Sequence, residues 1–469
     1  MTKTDWRTRF AFLLLATIFL ISAPFGRTNP EPRITDPPPI AVDDLDPQDT
    51  TQEVQLLAHI TYELDALYYD PLSLDHEKLY NAALAGVQAE FKKHGVDWKY
   101  EKIEGVATRY GANQRFLREY SKAKALKAKS VGIGERDLIL AAADNMLESL
   151  NRSHTYFIYP KWHPLRVSGY DRDKFVGIGV VIETLDDSMV FLSRVCKRSP
   201  ADRAGLQMND QLLAIDDVPV TADLNQLSGK IRGDLGTKVK ITVQRGQEKK
   251  DFLVDRGYIS PEYGNGWIEK DGAFQWGILE LAGFNDTSMS AVDSSIRELG
   301  LFRGKVDGLI IDLRGNPGGQ LALVKDLLEW FLPIHTEIYC TESKKEGKTS
   351  FITGELPKFN DPIIILIDGN SASGSEIFSA IMKETGRAAL VGKKSAGAIE
   401  VGNKVDRIGF DAEAVITVQQ IYTAEGKNFE GVGVTPDHLV ERTKEDVLAG
   451  RDPYLDKAKE LLRKRCGGK

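Results

Sequence analysis

Three serines sit in a run of small residues between an apolar stretch and an amphipathic one, an arrangement able to perform acyl transfer. The run Gly369-Asn370-Ser371-Ala372-Ser373-Gly374-Ser375 follows an apolar, β-rich segment at 362–368, and Ile377, Phe378, Ile381 and Met382 follow at helical spacing. A serine at such a strand-to-helix turn is lifted out of the sheet. The N–H of the next residue is then free to meet a developing oxyanion, and the helix N-terminus adds a favourable dipole. The same residues also suit a plain N-cap with tight packing, since serine is a common cap.

Three blocks in order narrow the choice. The segment Ser371-Ala372-Ser373-Gly374-Ser375-Glu376-Ile377, followed by Gly386-Arg387-Ala388-Ala389-Leu390-Val391-Gly392, resembles the signature of the C-terminal processing peptidases, or tail-specific proteases. These are serine peptidases on a crotonase-like α/β core. The turn Asp312-Leu313-Arg314-Gly315-Asn316-Pro317-Gly318-Gly319 is similar to that family's D-L-R-x-N-x-G-G, and Gly433-Val434-Thr435-Pro436-Asp437 to its G-x-x-P-D close. The resemblance makes Ser373 the nucleophile. It implies an oxyanion hole from the N–H of Gly374 with that of Gly318 or Gly319, where glycine lets backbone approach the scissile carbonyl without a Cβ in the way.

The chain departs from the family at the base. Many members carry a lysine about two dozen residues beyond the serine, and that position here is Ala398. Lys393 and Lys394 fall several residues early and read as solvated charges at a strand end. Far upstream, Asn151-Arg152-Ser153-His154-Thr155-Tyr156 resembles the tricorn-type branch, in which a Ser-His pair serves the core serine, and Glu430-Gly431-Val432-Gly433-Val434 is similar to that branch's E-x-x-G-V. The resemblance assigns His154 as general base, Ser153 as the residue that orients it and Glu430 as the outer acceptor. Imidazole, with an ordinary pKa of about 6.5, can take the serine proton and return it to the leaving amine. Ala398 also supports another class of function, an inactive homologue acting as a peptide-binding adaptor. An acyl-CoA enzyme on the same core is a poor match to a PDZ insertion and an export signal.

The elements that must position these residues span several domains. Residues 1–26 read as a signal peptide or membrane anchor: Lys3, Arg7 and Arg9 precede the apolar run at 10–24. The expectation is export to a periplasmic or other extracytoplasmic space, with membrane association only through this segment. Residues 27–50, rich in proline and acid, read as an extended linker. Residues 51–165 carry helical periodicity, as in Val54, Leu57, Ile60, Leu64 and Leu67, and 91–130 reads as an inserted helical extension with a solvated face. Residues 166–256 resemble a PDZ domain. Gly177, Ile178, Gly179 and Val180 match its carboxylate-binding loop, and the run from Ser199 to Asp210 its helix and turn. Such a domain adds a peptide as an extra strand and grips its terminal carboxylate. Residues 257–442 alternate apolar strands with amphipathic helices, as expected of an α/β sheet, and 443–469 close the chain as a polar helical tail.

The fold class expected is therefore multidomain α/β: a crotonase-like peptidase core, an inserted PDZ domain and an N-terminal helical region. The 42% of hydrophobic residues suffices for folded cores, and a net charge of −7 with scattered lysines argues against a nucleic-acid partner. Protein or peptide substrates, C-terminal tails among them, are the expected partners, and self-association is open. Cys196, Cys340 and Cys466 are widely spaced and offer no metal-binding pattern, so neither cofactor nor metal is expected.

Overall fold

The computed structural model describes residues 52–467 apart from short stretches at 107, 128–131, 135, 161–162, 164–174, 186–187, 197, 260–263 and 302–303. The signal-like segment and the proline-rich linker lie outside the described residues. No described helix is long and apolar enough to cross a membrane.

The N-terminal region is built from α1 (Gln52–Leu67), α2 (His76–Lys93), α3 (Arg109–Lys127) and α4 (Asp137–Glu148). Asp75 caps α2 by accepting from the Lys78 N–H. The 91–130 segment has the solvated face expected, with Arg115, Arg118 and Lys122 exposed, but its other face is built into the helical core. Trp98, Ile103, Phe116 and Tyr120 are buried, and they share one core with Leu57, Ile60, Tyr80 and Met146. Its many lysines hide a narrow aromatic stripe: Phe116 stacks on Tyr120, and Trp98 on Tyr100. Strand β1 (Tyr156–Ile158) follows α4 directly, so His154 lies on a short link between helix and sheet.

The PDZ region runs through β2 (Phe175–Gly177), β3 (Val180–Leu185), β4 (Met189–Val195), α5 (Pro200–Ala204), β5 (Gln211–Ile215), β6 (Val218–Pro219), α6 (Leu224–Ile231), β7 (Lys238–Arg245), β8 (Glu248–Asp255) and β9 (Gly257–Ile259). Its main sheet has the order β3-β4-β5-β7-β8, which leaves β3 at an edge with α6 packed against it. Ser199 caps α5, and Gly205 ends it in the left-handed conformation.

The core sheet is formed by β10 (Asn265–Asp271), β11 (Phe274–Glu280), β12 (Gly308–Asp312), β15 (Ile363–Ile367), β16 (Ala388–Gly392) and β19 (His438–Leu439), in that order. It is parallel except for the β10 edge. The intervening elements are α7 (Asp286–Leu299), α8 (Leu321–Glu329), the hairpin β13 (Glu337–Ser343) and β14 (Gly347–Ile352), and α9 (Gly374–Glu384). Every residue of β12, β15 and β16 is buried, as expected of strands covered on both faces. One face packs on α7, α8 and α9 through Ile296, Val324, Leu328, Phe378 and Ile381.

After β16 the chain forms β17 (Val401–Gly409), the long β18 (Ala412–Thr423), α10 (Lys444–Leu448) and α11 (Pro453–Cys466). The second face of the core sheet is covered by α11, where Tyr454, Ala458, Leu462 and Cys466 meet Trp276, Ile310 and Ile364. The polar helix read as a tail thus carries a buried stripe, and full burial of Leu462 alone is worth about 2 kcal/mol. The three cysteines are free: Cys340 and Cys466 are buried, and Cys196 is half-buried just after β4.

A second sheet, β1-β18-β13-β14 with β17 also on β18, joins the strand that follows the N-terminal helices to strands from 337–423. Tyr156 pairs with Val415 and Phe157 with Ala414. This pairing carries the link containing His154 to the strands that follow β16.

Candidate active site

Ser373 lies where β15 gives way to α9, as N-cap of that helix. Its backbone has φ 51° and ψ −116°, a region a residue with a Cβ seldom occupies. The turn that holds it is built from side chains that replace missing backbone bonds. Asp368 accepts from the N–H groups of Gly315 (3.0 Å) and Asn370 (2.9 Å), and Ser371 Oγ donates to the Leu313 carbonyl at 2.8 Å. The Asn316 carbonyl receives the Ala372 N–H at 3.0 Å and Ser375 Oγ–H at 3.0 Å. The two sequence blocks around Asn316 and Ser373 therefore form one interlocked turn pair on adjacent parallel strands.

Gly318 and Gly319 press against this turn. A Cβ on Gly318 would lie 2.5 Å from the Gly374 nitrogen and 2.7 Å from Ser373 Cβ, at φ +98°. The Gly318 N–H donates to Asn316 Oδ1 at 2.8 Å. The N–H groups of Gly319 and Gly374 have no acceptor among the described residues. Of the two glycines named as alternatives from sequence, the Gly319 N–H is thus the one left open. Ala398 is buried against Ala372, beside Ser373 in the chain, and Lys394 is exposed at the end of β16.

Ser153 Oγ is 2.8 Å from His154 Nδ1 and 2.9 Å from Glu430 Oε2, and among the described residues no hydrogen bond joins His154 to Ser373. The Ser153 N–H also reaches Glu430 Oε1 at 3.2 Å. A hydroxyl has one proton. When Ser153 gives it to the Glu430 carboxylate, the oxygen accepts from Nδ1–H, and Nε2 keeps its lone pair. Burial of the ring lowers His154 from its ordinary value to about 4, so the imidazole is neutral near neutral pH. The ring packs over Gly402 of β17: a Cβ there would lie 3.1 Å from His154 Cβ and 2.7 Å from Val415 Cγ1.

Sequence reasoning missed several supporting residues. Glu400, 2% exposed, pairs with Arg152 at 3.1 Å and accepts from Thr417 Oγ1 at 3.0 Å; Thr417 in turn accepts from Thr155 at 3.0 Å. Burial and the nearby Glu430 charge raise Glu400 to about 7, against the pull of Arg152. Burial likewise raises Glu430. Glu376, with no exposed surface, accepts from the Ser373 N–H, Ser395 Oγ and the N–H groups of Gly397 and Ala398. Glu376 and Arg152 stand inside the very motifs read from sequence. Their adjacency to Ser373 and His154 was the available signal, but their partners are remote.

The PDZ loop is placed at the start of β3. Ile178 is buried, its carbonyl accepts from Ala201, and that of Gly179 accepts from Cys196. Gly179, at φ +82°, abuts Ser199, where a Cβ would come within 2.4 Å. The domain meets the core through Arg194, which pairs with Glu280 at 3.0 Å and donates to the Arg314 carbonyl. Beside this contact lies a cavity of about 1080 Å³, whose walls include Glu183, Arg194, Glu280, Arg314, Asp368 and Lys393. Among the described residues, no group of acidic, histidine or cysteine side chains could hold a metal ion.

A family model described as Peptidase family S41 matches residues 275–440, and a PDZ domain model matches 191–245. A carboxy-terminal-processing protease of Bartonella bacilliformis is 29% identical over 342 residues, covering 71% of this chain and 76% of the relative. The carboxy-terminal processing protease CtpB of Bacillus subtilis is 28% identical over 313 residues, 66% of this chain and 64% of the relative. The solved structure of mature CPAF shares the fold, with a TM-score of 0.51 at 15% identity, covering 89% of this chain and 98% of that one.

Proposed function

We propose that this chain, whose residues 275–440 match the Peptidase family S41 model and whose residues 191–245 match a PDZ domain, is a serine peptidase similar to the carboxy-terminal-processing proteases and cleaves polypeptides through an acyl-enzyme at Ser373 with His154 as the base. Ser373 Oγ attacks the scissile carbonyl carbon while its proton passes to His154 Nε2. The N–H groups of Gly374 and Gly319 receive the oxyanion. The imidazolium then gives its proton to the leaving amine as the C–N bond breaks, and water, deprotonated by the same imidazole, hydrolyses the ester. Ser153 and an ionised Glu430 steady the imidazolium through Nδ1–H.

The observation that carries this reading is the Glu430–Ser153–His154 relay, with links of 2.9 and 2.8 Å. It supplies a base where Ala398 cannot. The PDZ loop at Gly177–Gly179 and Val180, with the free edge of β3, would take a peptide C-terminus as an added strand. The basic and apolar N-terminal segment fits delivery of the enzyme outside the cytoplasm. Ala398 at the lysine position favours a second reading, an inactive adaptor that binds peptides through the PDZ domain alone.

Labelling with a serine-directed fluorophosphonate separates the two. Wild type should be labelled at Ser373, Ser373→Ala not at all, and His154→Ala at a rate lower by about 10³-fold. Efficient labelling of His154→Ala would remove the assigned base, and an unlabelled wild type would favour the adaptor.

A further inference from the structure

The backbone between Ser395 and Ile399 is held at every N–H. Ser395 donates to the Val434 carbonyl (3.1 Å) and Ala396 to that of Ser371 (3.0 Å). Gly397 and Ala398 donate to Glu376 at 2.7 Å each, and Ile399 donates to Glu430 at 2.9 Å. Gly397, at φ +81°, turns successive N–H groups toward the two carboxylates, as in an anion-binding nest. One carboxylate, Glu430, also holds Ser153 beside His154. The other, Glu376, also accepts the Ser373 N–H at 3.1 Å. Nucleophile and base come from distant parts of the chain, and this short run is tied to both.

We infer that Glu376 is a positioning residue whose carboxylate fixes Ser373 in register with His154 by anchoring the nucleophile turn to the same backbone run that anchors Glu430. The inference rests on the proposed Ser373–His154 pair. Four donors converge on Glu376: Ser373 N–H, Ser395 Oγ–H (2.5 Å), Gly397 N–H and Ala398 N–H. Only an ionised carboxylate accepts from all four, because an amide offers one oxygen and turns an NH₂ group at N–H donors. A Ser373 turn released from this clamp retains its fold through Asn316 and Asp368, but the hydroxyl and the Gly374 N–H lose their fixed relation to the imidazole. Misplacement on the order of 1 Å costs about 100-fold in rate while leaving substrate contacts elsewhere in place.

The test uses the full chain and a chromogenic peptide ester, with fluorophosphonate labelling to count active serines. Glu376→Gln should lower kcat about 100-fold with KM within about twofold of wild type, and Glu376→Asp should recover part of the loss. Ser395→Ala, which removes one donor to Glu376 and no charge, and also the acceptor of the Val434 N–H at 2.6 Å, should lower kcat about fivefold at unchanged KM, and with unchanged Tm it decides the matter should Glu376→Gln not fold. Unchanged kcat in a folded Glu376→Gln, or in Ser395→Ala when it decides alone, would overturn the inference, as would a loss confined to KM. A wild type that labels normally beside an indifferent Glu376→Gln removes only this inference. A wild type that does not label at Ser373 removes it together with the Ser373–His154 reading.

Discussion

The Ser373 half of the proposed site is made from 312–319 and 368–376, which end neighbouring parallel strands, β12 and β15. The His154 half draws on 152–155, 400–402, 415–417 and 430, brought together by the antiparallel sheet on β18. The first half is held mostly by short side-chain-to-backbone bonds within two turns, with the single buried carboxylate of Glu376 tying it to 395–398. The second is held by buried charge: Arg152, Glu400 and Glu430 sit around the Ser153–His154 link. A turn pair tolerates little change in shape, whereas a charge network tolerates little change in protonation or polarity.

Steric intrusion should therefore hurt most on the serine side. Gly318→Ala puts a methyl 2.5 Å from the Gly374 nitrogen, at a φ of +98° that alanine resists. It should displace the Gly374 N–H and lower kcat/KM about 10³-fold, the scale of losing an oxyanion donor. A variant of normal stability with near-normal kcat/KM would show that this turn is not the rigid half.

Polarity is the sharper probe of the histidine side. Glu430→Gln keeps volume but confronts the Ser153 and Ile399 N–H groups with an amide, and the Ser153 relay loses its negative end. Steady-state kinetics should show kcat down about 100-fold with little change in KM. An effect under threefold would mean that the imidazole is oriented by packing alone. Gly402→Ala tests that packing directly. Its methyl would meet Val415 at 2.7 Å and His154 at 3.1 Å, so strand or ring must shift by a few tenths of an ångström. We expect about a tenfold loss of kcat, smaller than for Gly318→Ala because φ at Gly402 is ordinary.

The contrast also explains what the sequence could tell. The Ser373 turn, its glycines and the strands on either side were readable because small residues, apolar runs and helical spacing are local. Ser153, His154 and Glu430 were found through resemblance, and nothing in their own neighbourhood announced the sheet that gathers them. The hairpin at 337–352 and the strands at 401–423 were not assigned. Strand β17 reads Val-Gly-Asn-Lys-Val-Asp-Arg-Ile-Gly, whose polar residues give a weak alternation, and register shifts interrupt its pairing with β18. Helix α11 reads as a polar tail because its lysines and arginines outnumber its core residues, yet Tyr454, Ala458 and Leu462 fall on one face. Glu376 was inside a recognised motif, but four donors from 373–398 cannot be inferred from a single letter.

Protonation offers the mildest way to separate the halves. Burial raises Glu376 to about 7 and lowers His154 to about 4. Falling pH therefore titrates the clamp on the serine side well before it charges the imidazole. A protonated Glu376 gains a donor where four donors already converge, so activity should drop with the ionised fraction, by about fourfold between pH 8 and pH 6.5. Glu400, also raised to about 7 by burial and by Glu430, titrates in the same window on the histidine side. The limb should persist in Glu400→Gln and vanish in Glu376→Gln, leaving a low rate that is flat over that range. Stability moves the other way. A carboxyl raised above its unfolded value binds its proton more readily in the native state, so from pH 8 down to 6.5 these groups make the fold more stable, and His154 begins to oppose them only below its unfolded value of about 6.5. Activity that falls while Tm holds or rises is titration of the site, and a Tm that falls in step with activity would assign the loss to unfolding instead.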